Sequence, residues 1–288
     1  MNVLVTGAYG RCGTAIIDHL HDSPNDNFTY LNRSDRDWGF DTHLADITDY
    51  EAIRPAFDGQ DAVIHLAAFP QVDSGWEDVS GPNVQGMYNA LEAAREAEVE
   101  TFVFGSTNHV MGIYEDDYAP ELYYGDVDLL LDHTDPVRPD SFYGTTKAFG
   151  EDLGRQYVEL YDYPKQFYAL RICSVRGVSY DHPFGDAEWL VDNGETERGS
   201  DRYEREVARM KATWQSRRDF AHQVDCCLRD NDVEFGIYNG VSDNDNRWFS
   251  VEPARSDIGY DPQDNGAEWD ELPTDPLSPA REGRERIS

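Results

Sequence analysis

The chain begins with Val3-Leu4-Val5 between Asn2 and Thr6, an apolar run too short for a helix and without polar alternation. Such a run predicts a strand buried on both faces over residues 2–6. A helical pattern over 13–21 follows it, and a second short strand is expected at 28–31. Further apolar runs predict strands at 61–66, 101–105 and 166–172. Between them lie an alanine-rich helical stretch at 83–96 and a long amphipathic helix at 141–160. Strands alternating with helices predict an α/β fold, a Rossmann-type doubly wound parallel sheet. After residue 175 the pattern weakens. A charged stretch over 180–218 leads to a helix at 219–229, a strand at 234–238 and a helix at 251–258.

Composition changes the picture in one respect. The 288 residues carry a net charge of −33 and only three lysines (Lys147, Lys165, Lys211) against 21 arginines. The 36 aromatic residues and 39% apolar content supply a core, which excludes wholesale disorder. An acidic surface of this density is the pattern expected where high salt screens self-repulsion, so a halophilic protein is expected. Nucleic-acid binding is not expected, because a phosphate backbone needs a basic footprint. The four cysteines (Cys12, Cys173, Cys226, Cys227) lack zinc spacing, and no cluster predicts a metal. With a strand starting at Asn2 and no long apolar run, the expected location is the cytoplasm, with no membrane partner.

Candidate chemistry starts at the end of the first strand. Gly7, Gly10 and Gly13 space a loop that opens the following helix, with Arg11 and Cys12 between the last two glycines. This placement predicts a dinucleotide whose pyrophosphate lies at the helix N-terminus. At the end of strand two, Asn32-Arg33 stands where an acid would favour NAD and an arginine would favour a 2′-phosphate. NADP or NAD is therefore the expected cofactor, with a tilt to NADP and Arg11 as a second contact. Read alone, Arg33 also fits a solvated turn. Asp46, followed by Ile47, suits either the adenine edge or the cap of a helix starting near Asp49. Leu66-Ala67-Ala68 places small side chains where a cofactor would pass, and core packing explains them equally well. Residues 1–175 thus read as a dinucleotide-binding core, and 176–269 as a small C-terminal lobe, interleaved with it, that covers the substrate. Residues 270–288, rich in Pro, Glu and Arg without periodicity, read as a mobile tail.

Tyr143 and Lys147 are four residues apart on the predicted long helix, hence on one face. An ammonium held there is expected to stabilise phenolate and lower the tyrosine pKa.

With these residues the chain resembles the extended short-chain dehydrogenase/reductases of the NAD-dependent epimerase/dehydratase superfamily. The resemblance spans residues 1–265 and includes the glycine motif, His65 to Ala68, Asn83, Ser106-Thr107, Tyr143/Lys147 and Leu170-Arg171-Ile172. Within it, residues 105–112, 241–245 and 259–265 resemble uronate dehydrogenases and the sugar dehydrogenases of halophilic archaea, glucose-6-phosphate dehydrogenases of this fold among them. The resemblance implies Tyr143 as catalytic base, Lys147 as its electrostatic partner on the nicotinamide ribose, and Thr107 as the catalytic hydroxyl. It also implies that Ile172 touches the cofactor, that Ser106, Asn108, His109 and Ser174 contact substrate, and that Arg209 grips an acidic group. For His109 a structural hydrogen-bonding role is the alternative. The expected reaction is oxidation of an aldose, or of an acidic aldose derivative such as a uronate, glucose 6-phosphate or a pentose, at its anomeric C1 hydroxyl, giving a lactone. A nucleotide-sugar epimerase or reductase and a non-catalytic NADP-sensing regulator are the alternatives. The resemblance also suggests a homodimer.

Two departures stand out. Asn32 replaces the acid of those relatives, and the segment from Ser174 to Arg209 is longer than in uronate dehydrogenases. Within residues 197–218, seven cations face four acids. Two readings apply: an anion grip for a sugar carboxylate or phosphate, of which Arg209 is the retained contact, and, for most of these charges, a helix with a Tyr203/Val207/Met210/Trp214 core stripe laced by pairs such as Asp201 with Arg205 and Arg202 with Glu206.

Overall fold

The computed structural model describes residues 1–273; of the mobile tail expected at 270–288, the part from 274 onward lies outside the described residues. Seven strands form one sheet: β1 (Asn2–Thr6), β2 (Asn27–Asn32), β3 (Thr42–Leu44), β4 (Ala62–His65), β5 (Thr101–Thr107), β6 (Gln166–Ile172) and β7 (Phe235–Gly240). Their order is β3-β2-β1-β4-β5-β6-β7 and every pairing is parallel. The direction of winding reverses between β1 and β4, so a crevice opens there beyond the carboxyl ends of the strands.

Ten α-helices are described, in chain order α1 (Arg11–Leu20), α2 (Tyr50–Ile53), α3 (Trp76–Val79), α4 (Gly86–Glu96), α5 (Gly112–Tyr118), α6 (Phe142–Leu160), α7 (Gly185–Asp192), α8 (Asp201–Thr213), α9 (Arg217–Arg229) and α10 (Glu252–Ile258). One core joins α1 and α9 to the sheet through Val3, Val5, Ile16, Phe220 and Val224. The other lies on the opposite face, where Leu4, Val63, Leu91, Phe102 and Phe167 meet α4 and α6. A π-helical turn over Ser80–Gln85 precedes α4, where the pattern had suggested regular helix from residue 83. Asn83 sits in that turn. Its side chain exchanges hydrogen bonds with the backbone of Phe69 and donates to Thr146 Oγ1 at 3.0 Å, fixing this segment against α6.

Beyond residue 175 the chain first covers the carboxyl edge with α7 and α8 and then returns to the sheet as α9 and β7. Tyr203, Val207, Met210 and Trp214 are buried, as the stripe predicted. The charge lacing differs. Arg202 pairs with Glu195, Arg198 with Glu188 and Arg209 with Glu115, so these cations reach other elements rather than neighbours one turn along. Among the described residues no helix is long and apolar enough to cross a membrane.

Candidate active site

A cleft of about 730 Å³ runs along the carboxyl ends of β1, β2, β4, β5 and β6, and every residue expected from the sequence to act in catalysis or to contact cofactor or substrate lines it. The local causes can be traced strand by strand.

Gly7 has φ +69°, and a Cβ there would sit 2.6 Å from Ala67 N. The first turn after β1 is thus tight against the end of β4, which explains the small Ala67-Ala68 pair. A Cβ on Gly13 would lie 2.3 Å from Ala8 O, so α1 packs closer to the loop than any side chain permits. Gly10 is the N-cap of α1, with no side-chain cap and no acid in the first turn. The uncapped first-turn N–H groups and the positive end of the helix dipole are therefore available to an anion. Arg11 has no salt-bridge partner among the described residues; burial and neighbouring Arg176 both work against its charge. These features fit a dinucleotide.

At the end of β2, Asn32 donates to Ser34 O at 2.7 Å. Asp46 accepts from the backbone and hydroxyl of Thr48 at 2.9 and 2.7 Å, and these bonds hold its carboxyl below the usual range. The helix cap falls instead to Asp49, whose side chain accepts from Ala52 N at the start of α2. The suggestion that Asp46 caps this helix is corrected accordingly: the cap lies three residues later, where its oxygen can reach the N3 amide.

The candidate reacting residues come from β5 and α6. Thr107 ends β5 in extended conformation and caps the following turn through His109 N. Ser141 caps α6, and Gly144 allows that helix to begin against the loop: a Cβ there would stand 2.4 Å from His109 O. Tyr143 is thereby placed beside Thr107. Burial pushes its phenol up to about 12, opposed by the Thr107 hydrogen bond. Lys147, one turn on, is buried and donates to Gly105 O at 2.6 Å, with its ammonium 4.7 Å from the Phe104 ring centre. Burial lowers its pKa to about 8, while Cys12 and Glu151 act the other way. The expectation of a lowered tyrosine pKa is thus corrected. The pair does share a face, but Lys147 Nζ is 5.9 Å from the centre of the phenol ring, and desolvation dominates.

Other predicted contacts are distributed unevenly. Ser106 is turned beneath the cleft, donating to Glu151 Oε1 at 2.6 Å, and Glu151 is held bidentately by Arg171. Ser174 shares a hydrogen bond with Thr213 at 2.9 Å. Asn108 is buried beside Thr107, 3.5 Å between side-chain oxygens. His109 Nδ1 lies 2.6 Å from Asp140, and its ring stands edge-on to Tyr143 at 6.1 Å between centres. Arg209 lines the cleft while its Nε and one terminal nitrogen engage Glu115 at 2.5 and 3.1 Å. Glu115, Asp140, Arg176 and Asp186 were not anticipated. The partners of Glu115 and Asp140 lie 94 and 31 residues away, and Arg176 and Asp186, ten residues apart, pair within a segment whose pattern is weak.

Comparison with known proteins agrees with this architecture. Residues 3–228 match the model of the NAD dependent epimerase/dehydratase family. The chain is 36% identical over 278 residues to an NAD-dependent glucose-6-phosphate dehydrogenase of Haloferax volcanii, covering 93% of this chain and 95% of that one. It is 32% identical to an L-arabinose 1-dehydrogenase (NAD(P)(+)) of the same organism, with 92% and 97% covered. The solved uronate dehydrogenase of Agrobacterium tumefaciens superposes with a TM-score of 0.72 at 26% identity, over 96% of this chain and 91% of that one. Sheet order, glycine loop, Tyr143/Lys147 geometry and matched span point the same way: the chain belongs to the NAD dependent epimerase/dehydratase family.

Proposed function

We propose that this oxidoreductase oxidises the anomeric C1 hydroxyl of a cyclic aldose, or of an acidic aldose derivative, to the lactone. The observation that carries the reading is the meeting of Thr107, Tyr143 and Lys147 in the same cleft as the glycine loop. Bound there, a nicotinamide supplies the hydride acceptor. Tyr143 removes the hydroxyl proton as the C1–H bond breaks, so the oxygen's electron pair forms the lactone carbonyl. Thr107 orients the hydroxyl, and the Lys147 ammonium favours the phenolate. Asn108 and His109, steadied by Asp140, contact the sugar. Arg209 presents its remaining N–H groups to the acidic end, and α7 and α8 cover the substrate.

Gly7, Gly10, Arg11, Cys12, Gly13, Asp46, Ile47, Leu66, Ala67, Ala68 and Ile172 would hold the dinucleotide. Arg33, with no salt-bridge partner among the described residues, supports use of NADP as well as NAD, with a tilt towards NADP. The haloarchaeal relatives, named as a glucose-6-phosphate dehydrogenase and an arabinose 1-dehydrogenase, support sugar C1 chemistry. The four free cysteines and acidic composition support a reducing, salt-rich cytoplasm, and the family resemblance supports a homodimer.

The test is reduction of NAD or NADP in molar KCl with glucose 6-phosphate, glucose, uronates and pentoses. No reduced cofactor with any sugar overturns the reading. Tyr143→Phe is expected to lower kcat at least about a hundredfold, in the range of general-base contributions, with cofactor affinity nearly unchanged. A fully active variant rules Tyr143 out as base.

A further inference from the structure

The segment that departs from uronate dehydrogenases builds a compartment of its own. A second cavity of about 300 Å³ adjoins the main cleft, and Arg11 and Arg176 line both. The rest of its wall comes largely from residues 177–206, including Trp189, Arg202, Asp186 and Glu206.

Its chemistry is uneven in a way that points to a ligand. Arg176 is held by Asp186, one of its bonds 2.6 Å long, and Arg202 is paired with Glu195. Arg11 has no salt-bridge partner among the described residues; of its charged neighbours, Arg176 opposes its charge and Asp186 supports it. Three arginines and two acids line the cavity; with Asp186 on Arg176 and Glu195 on Arg202, the lining charges without a salt-bridge partner among the described residues are those of Arg11 and Glu206. Trp189 leaves 42% of its surface open, although a large indole is ordinarily among the more buried residues. An open aromatic face suits the apolar side of a sugar, Glu206 can accept hydroxyl protons, and arginine forks match phosphate or carboxylate oxygens.

We propose that this second compartment binds the phosphate monoester end of a phosphorylated aldose whose C1 lies at Tyr143. The proposal rests on the sugar-dehydrogenase reading and names its substrate class. A uronate carboxylate is bonded directly to the sugar ring and stays within the cleft, near Arg209. A phosphate on the exocyclic oxygen extends two bonds further, towards Arg11 and Arg176. Arg202 and Trp189 then close on it from the inserted segment, and Arg11, which has no salt-bridge partner among the described residues, meets it from the wall that the two spaces share.

The test uses Trp189→Ala, Arg202→Ala and the double variant, all at the mouth of the compartment and away from the reacting groups. Kinetics are measured in molar KCl with glucose 6-phosphate, glucose and glucuronate at saturating cofactor. For the double variant, kcat/KM with glucose 6-phosphate should fall about tenfold or more, the loss expected when a charge-assisted contact is removed. With glucose and glucuronate it should change less than about twofold, and so should the cofactor KM. Equal losses on all three sugars, no loss on the phosphate ester, a loss confined to glucuronate, or a raised cofactor KM each overturn the proposal. Calorimetric titration with glucose 6-phosphate separates this proposal from the reading on which it rests. Binding by the wild-type protein that the double variant loses supports the compartment even if no sugar is turned over, and absence of wild-type binding overturns it.

Discussion

Replacing Lys147 with methionine should abolish catalysis and leave the protein as stable as the parent or more so. The ordinary lysine pKa of 10.5 falls to about 8 in the fold, chiefly through burial. At about 1.4 kcal/mol per pH unit, keeping the ammonium charged at neutral pH costs roughly 3 kcal/mol of folding free energy. Because the folded value is depressed, the unfolded chain holds the proton more tightly between pH 8 and 10.5. The penalty is therefore full below about pH 8 and disappears as pH rises to the unfolded value. Methionine removes it and retains an unbranched apolar side chain, but leaves Gly105 O without its donor, at a cost of about 1–3 kcal/mol. The net expectation near neutral pH is a gain of roughly 0–2 kcal/mol for the variant. Urea unfolding at pH 7 and pH 9.5 in molar KCl gives a sharper reading, since differences between the two proteins cancel every other titrating group. Over that interval the wild-type protein should gain about 2 kcal/mol relative to Lys147→Met. Parallel pH dependence of the two proteins would refute the claim that a buried, destabilising ammonium is retained for chemistry.

Other consequences are measurable. Since burial raises Tyr143 to about 12, the proposed base is protonated at neutral pH, and kcat/KM for sugar oxidation should climb from pH 7 to pH 10; a flat profile with chemistry rate-limiting would count against Tyr143. Glu151→Gln removes one partner of the buried pair with Arg171 and should cost about 3–5 kcal/mol, on the order of a 10 °C fall in Tm by calorimetry. A change under about 1 kcal/mol would mean that the guanidinium finds another acceptor. With a net charge of −33, transfer from molar to about 0.1 M KCl should unfold the protein by circular dichroism, as screening between surface acids is lost; unchanged stability would contradict the halophilic reading.

What could be read from the sequence follows from physical range. β1 and β6 are as predicted, because parallel strands covered on both faces carry continuous apolar residues. β3 went unanticipated: Thr42–Leu44 is three residues long, lies at the sheet edge and is only partly covered, so it carries no periodic signal. The glycine loop was legible because steric exclusion is local; only glycine tolerates the approach to Ala67 and Ala8. His109 with Asp140 and Arg209 with Glu115 were not legible, since each joins elements set together only by the folded sheet. The Tyr143/Lys147 pair lies between these cases. Helical spacing gave its adjacency, but the sign of the tyrosine shift depends on desolvation, which spacing does not report.

That distinction also bears on why the cation proposed to take part in the reaction is one of only three lysines. Four buried or half-buried arginines, at 171, 176, 209 and 217, each meet a carboxylate. A planar fork requires such a partner to satisfy several donors at once. Lys147 has no carboxylate within salt-bridge distance among the described residues; one N–H bonds Gly105 O and the charge rests over Phe104. A point charge with rotatable donors can occupy that position and still turn towards the cleft. An arginine there would need a second acid, and an acid beside Tyr143 would push the phenol pKa higher still. The paired arginines stabilise the walls. The single lysine can remain unpaired, at the cost in folding free energy that its lowered pKa records.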